Sequence, residues 1–232
     1  MQTIYIVFGE GMSINIYHGS DIIVRQPRFG TGRAYNDFGL GFYCTEYREY
    51  AAEWAVSSGR NGFVSAYSLD TSGLRVINLC GPQYTALHWL YILLNYREFD
   101  IPSRILQPAR EYIGRWFPVD YQGCDCISGY RADDVCFAFA RDFLAGRMSY
   151  RSMYSYLKSS NASREFVLKS NRAFDRITFT GHEPALYRDS YPAGAARELA
   201  ALKSARTGSG KNDLFITDMI REEVKPYDAR LR

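Results

Sequence analysis

Hydrophobic and polar positions follow two different periods along this chain. Short apolar runs bounded by turn residues predict strands, and these lie at residues 14–17, 63–69, 74–79, 125–128, 165–168 and 176–179. Apolar residues at helical spacing predict helices, and these lie at residues 48–57, 83–96, 102–117, 150–157, 193–204 and 212–223. Another helix follows Asp133 or Asp134, either of which would cap it. Because strands and helices interleave irregularly, the pattern favours an α+β fold over a βαβ series.

Length and composition describe a globular protein with one main domain. The chain has 232 residues, 47% hydrophobic and 23% charged, which is enough to bury a core without disulfide staples. Its 28 basic and 25 acidic residues give a net charge of +3, which excludes an acidic solvating tail and a histone-like basic protein. We expect an N-terminal extension at residues 1–13, a main domain at 14–181 and a helical C-terminal appendage at 182–232, with a linker at 207–210.

Targeting and cysteine signals are those of a cytoplasmic protein. Residues 1–12 lack the basic and long apolar regions of a secretory signal. The most apolar later window, residues 85–94, is roughly half of a bilayer span, so we expect no transmembrane helix. The five cysteines include no C-x-x-C pair, which predicts buried reduced thiols and no metal site. The glycosylation sequon at 161–163 is then accidental.

Four local features are candidates for a functional site, although each also has a purely structural interpretation. Residues 18–20 read His-Gly-Ser and end a predicted strand, where glycine leaves the backbone open to a flat ligand. Residues 39–43 read Gly-Leu-Gly-Phe-Tyr, and Trp54 follows Tyr43 by eleven residues. Glu165 opens an apolar strand, where a carboxylate is costly to bury without a partner. Taken singly, an ordinary histidine, a glycine turn, a core tryptophan and a rim glutamate are the favoured explanations.

In this order the four features resemble the ADP-ribosyltransferase superfamily, specifically its diphtheria-toxin-like, polymerase-related His-Tyr-Glu branch. That branch has a His-Gly-Ser strand end, a Gly-x-Gly-φ-Tyr motif, an aromatic residue eleven positions further and a glutamate opening a later apolar strand. More narrowly, residues 17–21, 36–45, 129–134 and 166–170 resemble a bacterial family known as domain of unknown function 3990, placed in the same superfamily. The likeness covers about residues 14–181. It implies a split pair of small β-sheets around an NAD cleft, with flanking helices.

The resemblance also implies a chemistry, in which NAD⁺ is the co-substrate of a mono-ADP-ribosyltransferase. His18, Tyr43 and Glu165 are then the catalytic residues. His18 would donate to the adenosine-side ribose hydroxyl, and Tyr43 would stack on the nicotinamide ring. Glu165 would bond the nicotinamide-ribose 2′-hydroxyl, stabilise the positive charge that develops there, and take the acceptor's proton.

The remaining residues of the implied site would bind NAD⁺. Backbone groups of Gly19 would pair with the nicotinamide carboxamide, with Ser20 beside it. Trp54 would cover the other face of the nicotinamide ring. Arg28 or Arg33, in the loop before the second motif, would reach the pyrophosphate because a guanidinium matches phosphate geometry. No metal is implied.

Two other activities fit the same sequence. A catalytically silent NAD- or nucleotide-binding module would keep the histidine and tyrosine features without needing Glu165. An NAD glycohydrolase would use water as the acceptor.

The partners follow from the resemblance and from one charged segment. The narrower resemblance suggests a toxin-like effector with a small neutralising partner protein, and no membrane partner. Residues 141–172 hold seven basic and two acidic residues, which allows an electropositive acceptor side, although a solvated helical face is the simpler explanation. We therefore expect a protein acceptor slightly ahead of nucleic acid.

Overall fold

A computed structural model describes residues 13–56, 59–159, 164–207 and 213–232. Within them the chain is a mixed α+β protein built on two small sheets, as the irregular order of elements predicts. Three sequence predictions lie outside the described residues: nearly all of the N-terminal extension, the sequon at 161–163, and the linker beyond residue 207.

The first sheet has three antiparallel strands. They are β1 (Ser13–Ser20), β3 (Gly62–Asp70) and β7 (Ile177–Ala185), in the order β1-β3-β7. Along β7 half-buried and exposed residues alternate up to Glu183, as expected for a strand with one face on the core. β7 also continues past residue 181 to Ala185, so the first helix of the C-terminal segment begins only at Tyr187.

The second sheet has four strands and holds most of the candidate site. They are β2 (Phe42–Cys44), β4 (Val76–Asn78), β5 (Cys126–Tyr130) and β6 (Arg164–Leu168), in the order β2-β6-β5-β4. β4 runs parallel to β5, and the other pairs are antiparallel. Because β6 lies between two neighbours, residues 165–168 are all buried. The sequence does not predict β2, since three residues after two glycines show no alternating pattern.

The helices predicted from the sequence are confirmed, although their first and last residues differ from the predicted ones. The structure has α1 (Arg48–Ala55), α2 (Ala86–Tyr96), α3 (Ser103–Trp116), α4 (Asp134–Leu144), α5 (Tyr150–Ser159), α6 (Asn171–Phe174), α7 (Tyr187–Thr207) and α8 (Ile216–Arg221). Asp133 caps α4, and its side chain accepts a hydrogen bond of 2.8 Å from the Cys136 backbone N–H. α6 is too short to show a helical period, and Ser170 caps it in the same way.

Two hydrophobic cores position the cavity described below. The larger core surrounds α2, most of which is buried, and the Trp89 indole donates to the Tyr130 carbonyl at 2.8 Å, which ties α2 to β5. The smaller core joins the two sheets, with Ile16 and Tyr67 from the first sheet against Phe166 and other residues of the second. The sheets are therefore packed on each other through apolar side chains, with the strand ends left to form the site.

The C-terminal helices pack on this framework. α7 contacts α1 and α5, and α8 contacts α3. The Tyr112 hydroxyl on α3 donates to the Val224 carbonyl at 2.6 Å, just after α8. None of the helices within the described ranges is both long and apolar enough to cross a membrane.

Candidate functional site

One cavity of about 1060 Å³ brings together all of the sequence-predicted site residues except Ser20. Its lining includes His18, Gly19, Arg28, Arg33, Tyr43, Trp54 and Glu165. The Ser20 hydroxyl instead donates to the Ile22 carbonyl at 2.6 Å. The cavity wall is formed by the ends of β1, β2 and β6, by α1, by Arg97 after α2, and by the loops that precede β2 and α4.

Backbone pairing explains why these strand ends meet. β1 and β2 belong to different sheets but form one bridge, in which Tyr17 and Thr45 exchange backbone hydrogen bonds of 2.7 and 2.9 Å. β2 then pairs with β6, with Tyr43 opposite Val167. The bridge connects β1 to β2, and the pairing connects β2 to β6. His18, Tyr43 and Glu165 therefore lie on three strands that are hydrogen-bonded one to the next across the two sheets.

The His18 imidazole has a defined tautomer. Its Nδ1 lies 2.7 Å from the Tyr43 carbonyl oxygen, which can only accept, so Nδ1 carries the hydrogen. Burial lowers the pKa of His18, although the bond to the Tyr43 carbonyl opposes the decrease. In the neutral ring the other nitrogen, Nε2, is an acceptor. A ligand hydroxyl at Nε2 would therefore donate to the neutral ring, whereas the expectation from the sequence has His18 donating.

Gly19 is needed for packing as well as for access to the backbone. A Cβ placed on Gly19 would lie 1.8 Å from the Ala51 carbonyl oxygen and 2.9 Å from the Ala55 nitrogen. Both atoms are helix backbone, so they cannot rotate away as a side chain can. The glycine therefore lets α1 pack directly on β1, which also sets the position of Trp54 at the cavity.

The Tyr43 side chain is held by its hydroxyl. The hydroxyl donates to the Gly39 carbonyl at 2.6 Å and accepts from the Phe38 backbone N–H at 3.0 Å. Burial, with the neighbouring Glu165 charge as the next cause, raises the pKa of Tyr43, so the phenol stays neutral. Because both hydrogen bonds fix the hydroxyl end, the orientation of the ring in the cavity wall is set before any ligand binds.

Glu165 is the most unusual group in the cavity. Only 6% of its surface is exposed, and its Oε2 atom is buried without a hydrogen-bond partner among the described residues. Oε1 lies 3.5 Å from Nε of Arg131. Burial raises the pKa of Glu165 well above its ordinary value, Asp37 increases it further, and Arg131 opposes the increase. The local interpretation of an exposed rim glutamate is wrong, because Glu165 pairs with Gly129 of β5 and its side chain is buried.

Arg131 and Trp54 form one wall of the cavity together. The Arg131 guanidinium carbon lies 4.7 Å from the centre of the Trp54 ring, a cation–π arrangement. One face of Trp54 is therefore already occupied by a residue of the same chain. From the sequence, only the acidic residues of segment 129–134 have a predicted role, as helix caps, so Arg131 is a site residue that the sequence does not predict.

Asp37 is the second residue that the sequence argument missed. It is buried, lines the cavity, and accepts hydrogen bonds from the Ala132 backbone N–H at 2.7 Å and from the Arg97 guanidinium. Burial raises its pKa, and these two partners oppose the increase. An aspartate two residues before a glycine motif that precedes a strand is visible in the sequence, but its burial depends on partners 60 and 95 residues away.

Comparison with known proteins gives one match. The family described as Protein of unknown function (DUF3990) matches residues 14–179. The chain belongs to this family. The comparisons with curated proteins and with solved structures gave no match.

The DUF3990 segment contains the whole candidate site. His18, Asp37, Tyr43, Arg131 and Glu165 all lie between residues 14 and 179, whereas α7 and α8 follow the matched segment. The named polar groups of the cavity therefore all come from the segment that matches the family, and none of them comes from α7 or α8.

The basic side chains of segment 141–172 do not line the cavity, although Glu165 of the same segment does. The seven basic residues all lie among the described residues, and none of them lines the cavity. Several are engaged elsewhere: Arg147 with Asp142, Arg172 with Asp125, and Lys169 with the Phe38 and Leu40 carbonyls. The simpler explanation, a solvated and internally paired surface, is therefore favoured over an electropositive acceptor side.

The five cysteines are free thiols, and all but Cys80 are buried. Over the described ranges, no group of three or more histidine, cysteine, aspartate or glutamate side chains is arranged to hold a metal ion.

Proposed function

We propose that this DUF3990 protein is a mono-ADP-ribosyltransferase that cleaves NAD⁺ and transfers ADP-ribose to a macromolecular acceptor. One observation is the main support for the proposal. A nearly buried carboxylate, Glu165, has an oxygen without a hydrogen-bond partner among the described residues, and it lines a cavity that His18 and Tyr43 also line. A buried polar atom without a partner is costly, and sites that keep such atoms often use them on a ligand.

The chemical character of the cavity fits NAD⁺. Its volume of about 1060 Å³ is at the upper end of ligand pockets. Arg28 and Arg33 line it and supply guanidinium groups for a diphosphate. His18 offers an acceptor for a ribose hydroxyl, and the fixed ring of Tyr43 offers an aromatic surface for the nicotinamide. Such stacking is worth about 0.5–1.5 kcal/mol.

Glu165 would act on the nicotinamide side of the substrate. The bond between ribose C1′ and the nicotinamide nitrogen breaks, and nicotinamide leaves with the bonding electrons. In its ionised form Glu165 stabilises the positive charge that develops on the ribose, and then accepts the proton released when the acceptor bonds to C1′. Because the pKa of Glu165 is raised by burial, we expect the rate to increase as the pH rises through that pKa.

A protein acceptor remains our choice over nucleic acid. None of the seven basic residues of segment 141–172 lines the cavity, so they give no support to binding of a phosphate-bearing acceptor there. A toxin-like role with a small neutralising partner protein, in the cytoplasm, is part of the same proposal. It rests on the family likeness, and no feature of the cavity bears on it.

The proposal is tested by following labelled NAD⁺ in the presence of cell extract. Mass spectrometry of the products, with and without extract, measures nicotinamide and ADP-ribose, and digestion with protease or nuclease locates the label. We expect label that is removed by protease. Label removed only by nuclease would replace the protein acceptor, and free ADP-ribose with no labelled macromolecule would indicate the glycohydrolase.

Two variants make this experiment specific for the cavity. Glu165→Gln should abolish labelling, whereas Glu98→Gln removes the same charge from an exposed residue outside the cavity and should leave labelling unchanged. Unchanged NAD⁺ in every arm would contradict the enzymatic proposal and favour the silent binding module.

A further inference from the structure

Arg131 contacts two groups of the cavity at once. Its guanidinium lies over the Trp54 ring at 4.7 Å, and its Nε is 3.5 Å from Oε1 of Glu165. Both contacts are made by the same guanidinium, which lies over the ring and has its Nε near the carboxylate. An arginine held in this way has few remaining degrees of freedom, and lysine cannot reproduce both contacts.

The backbone that follows Arg131 is also fixed. The Ala132 N–H donates to Asp37 at 2.7 Å, and Asp37 is itself held by Arg97. On the next residue, Asp133 caps α4 through the Cys136 N–H at 2.8 Å. The position of Arg131 therefore depends on buried contacts between three segments of the chain, and its side chain is not simply an exposed cation that happens to lie near a carboxylate.

The consequence for Glu165 is geometric. Because Arg131 engages Oε1, the carboxylate is held at one oxygen, and Oε2 is the oxygen that keeps its acceptor capacity. Without Arg131, the carboxyl group would be free to rotate and to present either oxygen. We propose that Arg131 is a positioning residue for Glu165, whose ion pair, seated on Trp54, orients the carboxylate so that Oε2 is kept for substrate.

Arg131 is one of several charged or titratable groups that act on Glu165 from the surrounding elements. They are Asp37 from the loop before β2, Arg97 after α2, Arg131 and Asp133 from the loop between β5 and α4, Tyr43 from β2, and Cys136 from α4. Of the two cations, Arg131 lowers the pKa of Glu165 more than Arg97 does. Removal of Arg131 should therefore raise this pKa, since an opposite charge within about 4–6 Å favours the ionised form.

The first test needs no turnover, and so it is independent of the proposed function. The full-length protein is labelled with ¹³C-glutamate, and the carboxyl signal missing from Glu165→Gln is assigned to Glu165. In Arg131→Gln we expect its titration midpoint to move upward by at least about one pH unit. In Arg147→Gln, which removes an exposed arginine away from the cavity, we expect no shift. An unchanged midpoint in Arg131→Gln would overturn the assignment.

The second test is kinetic and rests on the proposed NAD⁺ cleavage. In Arg131→Gln we expect kcat to fall about 100-fold with little change in KM, the size of effect produced by a misplaced reacting group. The acid side of the pH–rate profile should move upward with it. Arg131→Lys keeps the charge, so its profile should stay near that of the wild type while kcat remains reduced.

The outcomes separate the two claims. If the wild type cleaves NAD⁺ but Arg131→Gln has the wild-type kcat and pH profile, the positioning role fails and the proposed function stands. A higher KM with an unmoved profile would also overturn the positioning role, because it indicates a merely structural contribution. If the wild type does not cleave NAD⁺, the proposed function fails, and the carboxyl titration still decides whether Arg131 controls Glu165.

Discussion

The two sides of the cavity are built in different ways. On one side, His18, Tyr43 and Glu165 lie on strands, and each contacts another part of the structure through a named hydrogen bond or ion pair. On the other side, the loop that holds Arg28 and Arg33 is largely exposed. The first side fixes the orientation of groups before a ligand binds, and the second presents charges that can adjust to it.

The loop is attached at its two ends. Near its start, the Val24 backbone N–H donates to the Ser65 hydroxyl at 3.2 Å, and the Tyr67 hydroxyl donates to the Val24 carbonyl. Near its end, Asp37 forms its buried contacts. Arg28 and Arg33 lie between these attachments. We therefore assign orientation and chemistry to the strand side, and binding of the charged part of the substrate to the loop side.

The largest effect should come from breaking the packing of the strand side. In Gly19→Ala the added carbon would meet the Ala51 carbonyl at 1.8 Å, and the free energy of unfolding should fall by about 3 kcal/mol, the upper end for overpacking. Gly181→Ala, on β7, is the matched control because no atom lies within 4 Å of its added carbon. Urea denaturation measures both variants. Equal losses of stability would show that close packing of α1 on β1 is not what requires a glycine at position 19.

A smaller effect on stability should come from Glu165→Gln, which removes the charge of the side chain and keeps its shape. Because burial raises the pKa of Glu165 in the folded state, its contribution to stability is fully present below its unfolded pKa and is lost as the pH rises through the folded pKa. Glu165→Gln does not ionise. Its free energy of unfolding should therefore rise relative to the wild type as the pH increases from about 4.5, by at most about 1.4 kcal/mol per pH unit. Denaturation at a series of pH values measures the difference, and a constant difference would contradict the burial of an ionisable carboxyl at this position.

The smallest effect should come from the loop side. Arg33→Gln should raise the KM for NAD⁺ about two- to fivefold, with kcat unchanged, since single exposed charge contacts contribute little. The increase should shrink at high salt because exposed charges are screened. Arg25→Gln changes the same charge on the same loop but outside the cavity lining, and its KM should not move. A large decrease of kcat in Arg33→Gln would show that the loop also orients the reacting groups.

The same contrast explains what the sequence predicts and what it leaves out. Motif residues with a fixed spacing, such as His18, Tyr43 and Trp54, can be placed in advance, and the structure gathers them in one cavity. The helices and longer strands follow from their periodicity. β2 and α6 do not. β2 follows two glycines and forms by pairing with β6, and α6 is a single turn that depends on its Ser170 cap.

Asp37 and Arg131 show a second limit. Their importance comes from contacts with residues far away in sequence, namely Arg97 and Glu165, and no local pattern reports such a pairing. Glu165 itself was visible in the sequence, but its burial was not, since that depends on β6 lying between β2 and β5. Charged residues that flank a strand–helix connection are the signal to examine next in chains of this family.

The most direct test of Glu165 as the catalytic carboxylate is the release of nicotinamide from NAD⁺ by the purified wild type and Glu165→Gln, with NAD⁺ affinity measured in parallel by calorimetry. We expect release by the wild type, and a loss of about 10²–10⁴-fold in the variant, the range for a missing acid–base group. NAD⁺ affinity should be similar for both proteins, because the role of Glu165 is realised mainly in the transition state. Equal rates of release would remove Glu165 from the chemistry, and binding without release by the wild type would contradict the assignment of an enzyme.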